Sequence, residues 1–181
     1  MIEKNIKTVA LKAVSASAEI LKKEYYNFDR NSIKIKNQHE IITKFDLLSE
    51  QIIIKEIKKL YDSDTPIFAI CLGHQLMALA TGADTHKLKY GHRGGNHPVK
   101  DLKTNRVYIS SQNHGYVVDT DMLDEKIAKP AFVNVNDETN EGLEYIGKNI
   151  FTVQFHPEAC PGPQDSSYLF ERFIEMMGGT Q

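Results

Sequence analysis

The stretch that decides the fold is Pro66-Ile67-Phe68-Ala69-Ile70-Cys71-Leu72-Gly73-His74-Gln75. Its first half is a short, continuous apolar run, which predicts a strand buried on both faces, as in a parallel sheet. Residues 73–81 then follow helical spacing, and Gly82 is a typical helix stop. A buried strand that leads directly into a helix predicts an α/β fold, with Cys71 at the connecting turn.

A cysteine at a strand-to-helix turn has the setting of a nucleophile elbow. Such a turn exposes the sulfur, the helix N-terminus favours its thiolate form, and nearby backbone N–H groups can receive an oxyanion. The alternative is that Cys71 is a small buried hydrophobe, the commonest role of a lone cysteine. The other cysteine is Cys160, and in a reducing compartment we expect both to be free thiols.

A thiol nucleophile needs a base, and the base needs a group that orients it. Phe155-His156-Pro157-Glu158 supplies both at the end of an apolar run, residues 150–155, that reads as a strand. Glu158 could bond the far nitrogen of the His156 ring and fix its tautomer. Alone, the tripeptide His156-Pro157-Glu158 is more often a surface turn, but together with Cys71 it predicts a catalytic triad.

Composition sets the class of protein and excludes some partners. The chain has 181 residues, 41% of them hydrophobic and 25% charged, with a net charge of −2, which is typical of one soluble domain. The basic residues are dispersed, so we expect neither a nucleic-acid partner nor a charged membrane surface. Glu and Lys interrupt the apolar residues of the N-terminus, so we expect no signal peptide, no membrane span and a cytoplasmic location.

The N-terminal third has a different pattern from the rest. Apolar and small residues recur at helical spacing over residues 2–26, in a stripe that includes Ala13, Val14, Ser17 and Leu21. Two short alternating runs, 33–36 and 40–43, predict a hairpin. A second amphipathic helix is expected from about residue 48 to residue 60, with Asp46 as its N-cap.

Five stretches carry a resemblance to a known family: AICLGHQLMALATGA, KYGHRGGNHPVKDL, YISSQNHGYVVD, NEGLEY and VQFHPEACPGPQD. In this order they resemble the class I, or triad-type, glutamine amidotransferase domain of carbamoyl phosphate synthetase small subunits. The resemblance covers residues 65–177. It implies a Rossmann-like sheet, in which Cys71 attacks the glutamine carboxamide, His156 transfers protons and Glu158 orients His156.

The same resemblance implies the substrate site and the partners. Residues implied to hold L-glutamine are Leu72, Gln75, Asn113, Gly115 and Tyr116, with the Leu72 N–H as an oxyanion donor. Ammonia would pass to a synthetase large subunit, which uses ATP to make carbamoyl phosphate for arginine or pyrimidine biosynthesis. No cofactor is implied in this chain. We also expect no metal, because the histidines between residues 74 and 114 lack ligand spacing, and Arg93 with its neighbouring glycines is interpreted as a loop.

The sequence departs from that family in two ways. Ala69 stands where the family has glycine, which could cost about 1–3 kcal/mol if the elbow cannot relax. Residues 1–64 lack the family's preceding α/β units and their Gly-rich loop, and residues 2–62 loosely resemble the N-terminal end of inositol-monophosphatase-like phosphatases. We therefore predict a helix-hairpin-helix extension, residues 1–64, followed by a truncated amidotransferase domain, residues 65–181. The alternative function is a catalytically inactive fragment or chimera that at most binds the large subunit.

Overall fold

The computed structural model describes residues 2–25, 34–37, 40–159 and 166–178. The chain divides into two compact units, Met1–Ser63 and Asp64–Gln181, and each is described by itself. Cys160, expected to be a free thiol, lies outside the described residues. Within the described ranges, no helix is both long and apolar enough to cross a membrane.

The first unit contains two helices and a two-stranded hairpin. In chain order its elements are α1 (Ile2–Tyr25), β1 (Lys34–Asn37), β2 (Glu40–Ile42) and α2 (Lys44–Tyr61). Strands β1 and β2 pair antiparallel. Helix α2 begins earlier than expected because Thr43, not Asp46, is its N-cap. Asp46 instead occupies the third helical position and accepts a hydrogen bond from the Thr43 backbone N–H at 2.8 Å, which completes a capping box.

The apolar stripe of α1 is narrower than the sequence suggested. Ala13 and Ser17 are buried, and the Ser17 hydroxyl hydrogen-bonds that of Ser49 in α2. Val14 and Leu21, however, are exposed. These two residues lie about 80–100° around the helix from Ala13, because each residue advances the helix by about 100°. They are therefore at the margin of the face that α2 covers.

The second unit is built on a six-stranded mixed sheet. Its strands are β3 (Ile67–Ile70), β4 (Thr85–Asp101), β5 (Val107–Val118), β6 (Ala128–Asn134), β7 (Asn140–Tyr145) and β8 (Ile150–Val153), and its helices are α3 (Leu72–Ala80) and α4 (Tyr168–Met176). The spatial order is β3-β8-β7-β6-β4-β5. Only the β3–β8 pair is parallel among the described strands. Among the described residues β3 is an edge strand of this sheet, paired with β8 on one side and with no strand on the other.

Strand β4 corrects the interpretation of residues around Arg93 as a loop. These residues pair antiparallel with β5, and the register shifts between Lys87 and His92 and again between Gly94 and His97. Gly91 and Gly94 have φ values of 73° and 132°, which side chains rarely adopt. Glycines that form bulges hide the alternating pattern by which a strand is recognised in a sequence.

The core of the second unit lies between the sheet and α4. Its fully buried members are Val99, Phe132, Phe151, Val153, Phe155 and Leu169. Phe68 of β3 stacks on Phe151 of β8, with ring centroids 4.3 Å apart. This contact and the parallel pairing hold the carboxyl ends of β3 and β8 side by side.

Candidate active site

Cys71 occupies a strained turn between β3 and α3. Its φ and ψ are 52° and −106°, a left-handed conformation that is uncommon outside glycine. The turn is held from both sides: the Cys71 N–H donates to the Val153 carbonyl at 2.8 Å, and the Gln75 N–H donates to the Cys71 carbonyl at 3.3 Å. The nucleophile-elbow geometry expected from the sequence is present.

Ala69 fits this elbow because residue 73 is glycine. A Cβ placed on Gly73 would lie 3.3 Å from the Cβ of Ala69, which is a tight contact. The methyl group of Ala69 therefore occupies the space that the absent side chain of Gly73 leaves free. The crowding expected from Ala69 is relieved in this way.

The sulfur of Cys71 lies in a partly buried, hydrogen-bonded setting. Burial raises the pKa of the thiol, and the negative charges of Glu158 and Glu141 raise it further. Hydrogen bonds from the Leu72 backbone N–H and from Gln154 Nε2, at 3.6 Å, act in the opposite direction. The Leu72 N–H at the helix N-terminus thus favours the thiolate, as expected, but burial outweighs it and the net effect is a raised pKa. A proton acceptor is needed for attack.

His156 and Glu158 follow β8 at the same edge of the sheet as Cys71. Ile70 and Val153 are register partners in the parallel pair, so Cys71 leaves β3 one residue later and His156 leaves β8 three residues later. His156 Nδ1 and Glu158 Oε1 are 2.7 Å apart, which leaves Nε2 as the ring nitrogen that can exchange a proton. The His156 N–H donates to the Ser111 carbonyl at 2.9 Å.

The predicted substrate residues fall into two groups. Leu72 has an exposed side chain, 62% accessible, while its backbone N–H faces the sulfur. Asn113 is exposed on β5, and Gly115 and Tyr116 are half-buried two and three residues further on. Gln75 differs, because its Nε2 donates to the Tyr116 carbonyl and to Gln154 Oε1, both at 2.9 Å. Gln75 thus links Tyr116 of the predicted substrate segment to Gln154, whose side chain contacts the Cys71 sulfur.

Gln154 is a site residue that sequence reasoning missed. It is fully buried, accepts from Gln75 and donates to the Cys71 sulfur. Its backbone N–H donates to the Glu141 carbonyl at 2.8 Å, so neighbouring strand β7 fixes its position. The sequence held a signal for this role. In an extended segment side chains alternate between faces, so Gln154, two residues before His156, shares the face of His156 and not that of Val153 and Phe155.

A buried polar cluster behind the substrate segment was also missed. Its members are His74, His92, Gln112, His114, Asn134 and Glu141, all of them buried. His74 Nδ1 lies 2.8 Å from the Thr152 hydroxyl, and complete burial, with a smaller effect of His114, lowers the pKa of His74 to about 3. Burial likewise lowers the pKa of His114. The sequence held a signal, since all of these residues except Asn134 lie in the stretches that carry the family resemblance.

Three members of this cluster could offer ligand atoms to a metal. Donor atoms of His92, His114 and Glu141 lie within 4.8 Å of one another. However, the carboxamide oxygen of Gln112 already lies between the two rings, 3.0 Å from His92 Nδ1 and 2.7 Å from His114 Nε2. Hydrogen bonds account for this arrangement, and the absence of a metal remains a prediction.

Comparison with known proteins identifies the family. The model of the class-I glutamine amidotransferase family matches residues 13–176. Carbamoyl phosphate synthase small chain from Listeria monocytogenes is 58% identical over 116 residues, which are 64% of this chain and 32% of that protein. The arginine-specific small chain from Kluyveromyces lactis is 52% identical over 128 residues, 68% of this chain and 31% of the relative. The chain thus spans about a third of the length of these curated relatives.

Solved structures agree at the level of the fold. A Thermoplasma acidophilum protein assigned as a GMP synthase subunit has a TM-score of 0.59 at 24% identity, covering 73% of this chain and 65% of that one. A glutamine amidotransferase from Thermotoga maritima has a TM-score of 0.54 at 22% identity, covering 80% and 59%. These similarities confirm the predicted α/β amidotransferase fold.

The comparisons give no support to the second resemblance, that of the N-terminal third. The resemblance of residues 2–62 to inositol-monophosphatase-like phosphatases has no support, and the amidotransferase family model begins at residue 13. The division into an extension, residues 1–64, and an amidotransferase domain, residues 65–181, stays a prediction. Short amphipathic helices are common to many folds, so their spacing alone does not identify a family. Because the family match spans most of the chain, this protein belongs to the class-I glutamine amidotransferases.

Proposed function

We propose that this chain hydrolyses L-glutamine and supplies ammonia for carbamoyl phosphate synthesis, as a small-chain type of glutamine amidotransferase. The observation that carries the proposal is the strained elbow at Cys71 beside the His156–Glu158 pair, at the carboxyl ends of two adjacent parallel strands. Identity above 50% to carbamoyl phosphate synthase small chains supports this subclass. The large subunit, which would use ATP, and a cytoplasmic location are parts of the same proposal.

The chemistry begins with transfer of the Cys71 thiol proton to His156 Nε2. The sulfur then adds to the carboxamide carbon, and the Leu72 N–H donates to the oxyanion that forms. When the C–N bond breaks, His156 returns the proton to the leaving nitrogen and ammonia departs. A glutamyl thioester remains.

Hydrolysis of the thioester regenerates the enzyme. His156 removes a proton from water, the water oxygen adds to the thioester carbon, and the C–S bond breaks to release glutamate. The sulfur recovers its proton from His156. Glu158, through its hydrogen bond to Nδ1, keeps Nε2 available as the acceptor and stabilises the imidazolium in both steps.

The amino-acid end of glutamine would bind along Asn113, Gly115 and Tyr116. Asn113 offers an exposed amide, and the guanidinium of Arg93 lies beside Gly115, 3.6 Å from where a Cβ would be. Gln75 contributes by holding the Tyr116 carbonyl at 2.9 Å, in addition to any direct contact with substrate.

The decisive experiment is glutamate release from L-glutamine by the purified chain. We expect turnover that Cys71→Ala abolishes and that His86→Gln, at an exposed histidine of β4, leaves unchanged. Addition of the large chain of a carbamoyl phosphate synthase should convert the released ammonia into carbamoyl phosphate. A folded chain that releases no glutamate under either condition would refute the proposed function.

A second candidate is an inactive fragment or chimera that at most binds the large subunit. One observation favours it: among the described residues β3 has a strand partner on one edge alone. An unpaired edge strand weakens a sheet and attracts other strands. A folded, inactive chain that co-purifies with the large subunit would support this candidate, and an inactive chain that fails to bind would eliminate the binding role.

A further inference from the structure

The buried polar cluster connects the interior of the sheet to the predicted substrate segment. In the β4–β5 pair, His92 is the register partner of His114, and Gly94 is the partner of Gln112. Gln112 and His114 are buried, whereas Asn113 between them is exposed. His114, in the segment that would hold glutamine, therefore packs edge-on against the ring of His92, with ring centroids 4.9 Å apart.

His92 has a hydrogen-bond acceptor at each ring nitrogen. Nε2 lies 2.8 Å from Asp137 Oδ2, and Nδ1 lies 3.0 Å from Gln112 Oε1 and 3.2 Å from Glu141 Oε1. A ring that faces acceptors at both nitrogens is satisfied only when both carry protons. The hydrogen bond to Glu141, opposed by burial and aided by Asp137, accordingly raises the pKa of His92 to about 9.

Glu141 needs a positive partner. Its side chain is completely buried, and Oε1 also accepts from Gln112 Nε2 at 2.9 Å and from Asn134 Nδ2 at 3.1 Å. A buried carboxylate without a compensating charge is strongly unfavourable. His92 is the cation that compensates it among the described contacts of this carboxylate.

A chain of hydrogen bonds leads from this pair to the sulfur of Cys71. Gln112 Oε1 lies 2.7 Å from His114 Nε2, and His114 Nδ1 lies 2.8 Å from the Tyr116 carbonyl, so the neutral ring donates to one of these two acceptors at a time. The Tyr116 carbonyl also accepts from Gln75 Nε2, and Gln75 Nε2 donates to Gln154 Oε1 as well. Gln154 Nε2 in turn donates to the Cys71 sulfur. Within this series the His92–Glu141 pair contacts the Gln112 amide directly, with Nε2 on Glu141 and Oε1 on His92.

We propose that His92, held between Asp137 and Glu141, is a positioning residue that orients the predicted glutamine-binding segment, residues 113–116, through Gln112 and His114. This inference rests on the proposed function, because it assigns the segment to glutamine. The His92–Glu141 pair is not proposed to contact glutamine itself. It acts by fixing the Gln112 amide and, through it, the His114 ring and the Tyr116 carbonyl.

The test compares glutamine binding and turnover in His92→Gln with the matched control His86→Gln, which changes an exposed histidine of the same strand. Binding is measured by calorimetry in a Cys71→Ser background, so that substrate is not consumed. We expect His92→Gln to weaken binding and raise KM about tenfold, the equivalent of one charge-assisted hydrogen bond, with kcat much less affected. His86→Gln should change neither.

A double variant separates positioning from general loss of stability. His92→Gln leaves the Glu141 charge uncompensated, and Glu141→Gln removes that charge, so the double variant should recover part of the lost affinity. If His92→Gln lowers the melting temperature but binds glutamine as tightly as the control, the inference is wrong. If His92→Gln does not fold, Asp137→Asn, which alters the solvent-facing partner, is measured instead, and unchanged glutamine affinity there would overturn the inference.

The two failures are distinguishable. A parent chain that binds glutamine but releases no glutamate refutes the proposed function, while the affinities still decide the role of His92. A parent chain that hydrolyses glutamine, with a His92 variant of unchanged KM, refutes the inference alone. A Cys71→Ser chain that does not bind glutamine overturns the inference as well, since the segment would then have no glutamine to hold.

Discussion

Substitution of Gly142 by alanine should separate β7 from its neighbours. A Cβ on Gly142 would lie 2.6 Å from the Thr152 carbonyl oxygen and 2.8 Å from Phe132 Cδ2. Ordinary contact begins at 3.4 Å, so the backbone of β8 must retreat by several tenths of an ångström. Overpacking of this kind costs about 1–3 kcal/mol, and the upper end is expected because a backbone atom cannot rotate away.

Gly147, in the turn after β7, provides the control for this change. Its φ is 67° and a Cβ there would meet nothing within 4 Å, so alanine would cost only the left-handed strain, about 1 kcal/mol. We expect Gly142→Ala to lower the melting temperature by about 12 °C and Gly147→Ala by about 4 °C, since 1 kcal/mol corresponds to roughly 4 °C in a domain of this size.

The assay is thermal unfolding by circular dichroism, with hydrogen exchange of β7 and β8 peptides to localise the effect. Gly142→Ala should also reduce glutaminase activity, because the Gln154 N–H donates to the carbonyl of Glu141, the residue before Gly142. Equal destabilisation by the two substitutions would refute the steric reasoning. It would show that strain, not the approach of Thr152, governs this hairpin.

Three further outcomes follow from the buried polar groups. His74 has a pKa of about 3 in the folded protein against 6.5 when unfolded, so between pH 6.5 and pH 3 only the unfolded chain takes the proton. The free energy of unfolding should therefore fall by up to about 1.4 kcal/mol for each pH unit below 6.5. In urea unfolding measured against pH, His74→Gln should reduce this slope. The pKa shift of His92 has the opposite sign: its folded pKa is about 9, so its contribution to stability is complete below pH 6.5 and is lost as pH rises through 9. If His92→Gln leaves the pH dependence of the free energy of unfolding unchanged between pH 6.5 and 9, His92 does not carry the charge assigned to it. Gln154→Leu removes a donor that lowers the pKa of Cys71, so the midpoint of iodoacetamide alkylation against pH should move upward, and a downward or absent shift would exclude that hydrogen bond.

The accuracy of the sequence predictions depended on how local each feature was. The Cys71 elbow was predicted because strand, turn and helix are consecutive, and the structure has the expected geometry there. The helix N-terminus does lower the pKa of Cys71, but the net rise was not predicted, because it comes from burial and from carboxylates far along the chain. Strand β4 was missed because positive-φ glycines interrupt its alternation. The N-cap of α2 was predicted at Asp46 but is Thr43, because an aspartate is suited both to the N-cap and to the third helical position of a capping box.

The sequence by itself determined which residues could do the chemistry. The nucleophile, its helix and the His156–Glu158 pair each lie within a few consecutive residues, where backbone geometry and side-chain type suffice to predict the arrangement. Only the tertiary structure decided which distant polar groups meet: Gln75 with Tyr116 and Gln154, and His92 with Glu141. The physical reason is that a buried donor or acceptor must find a partner or lose stability, but which partner it finds depends on strands brought together from across the chain.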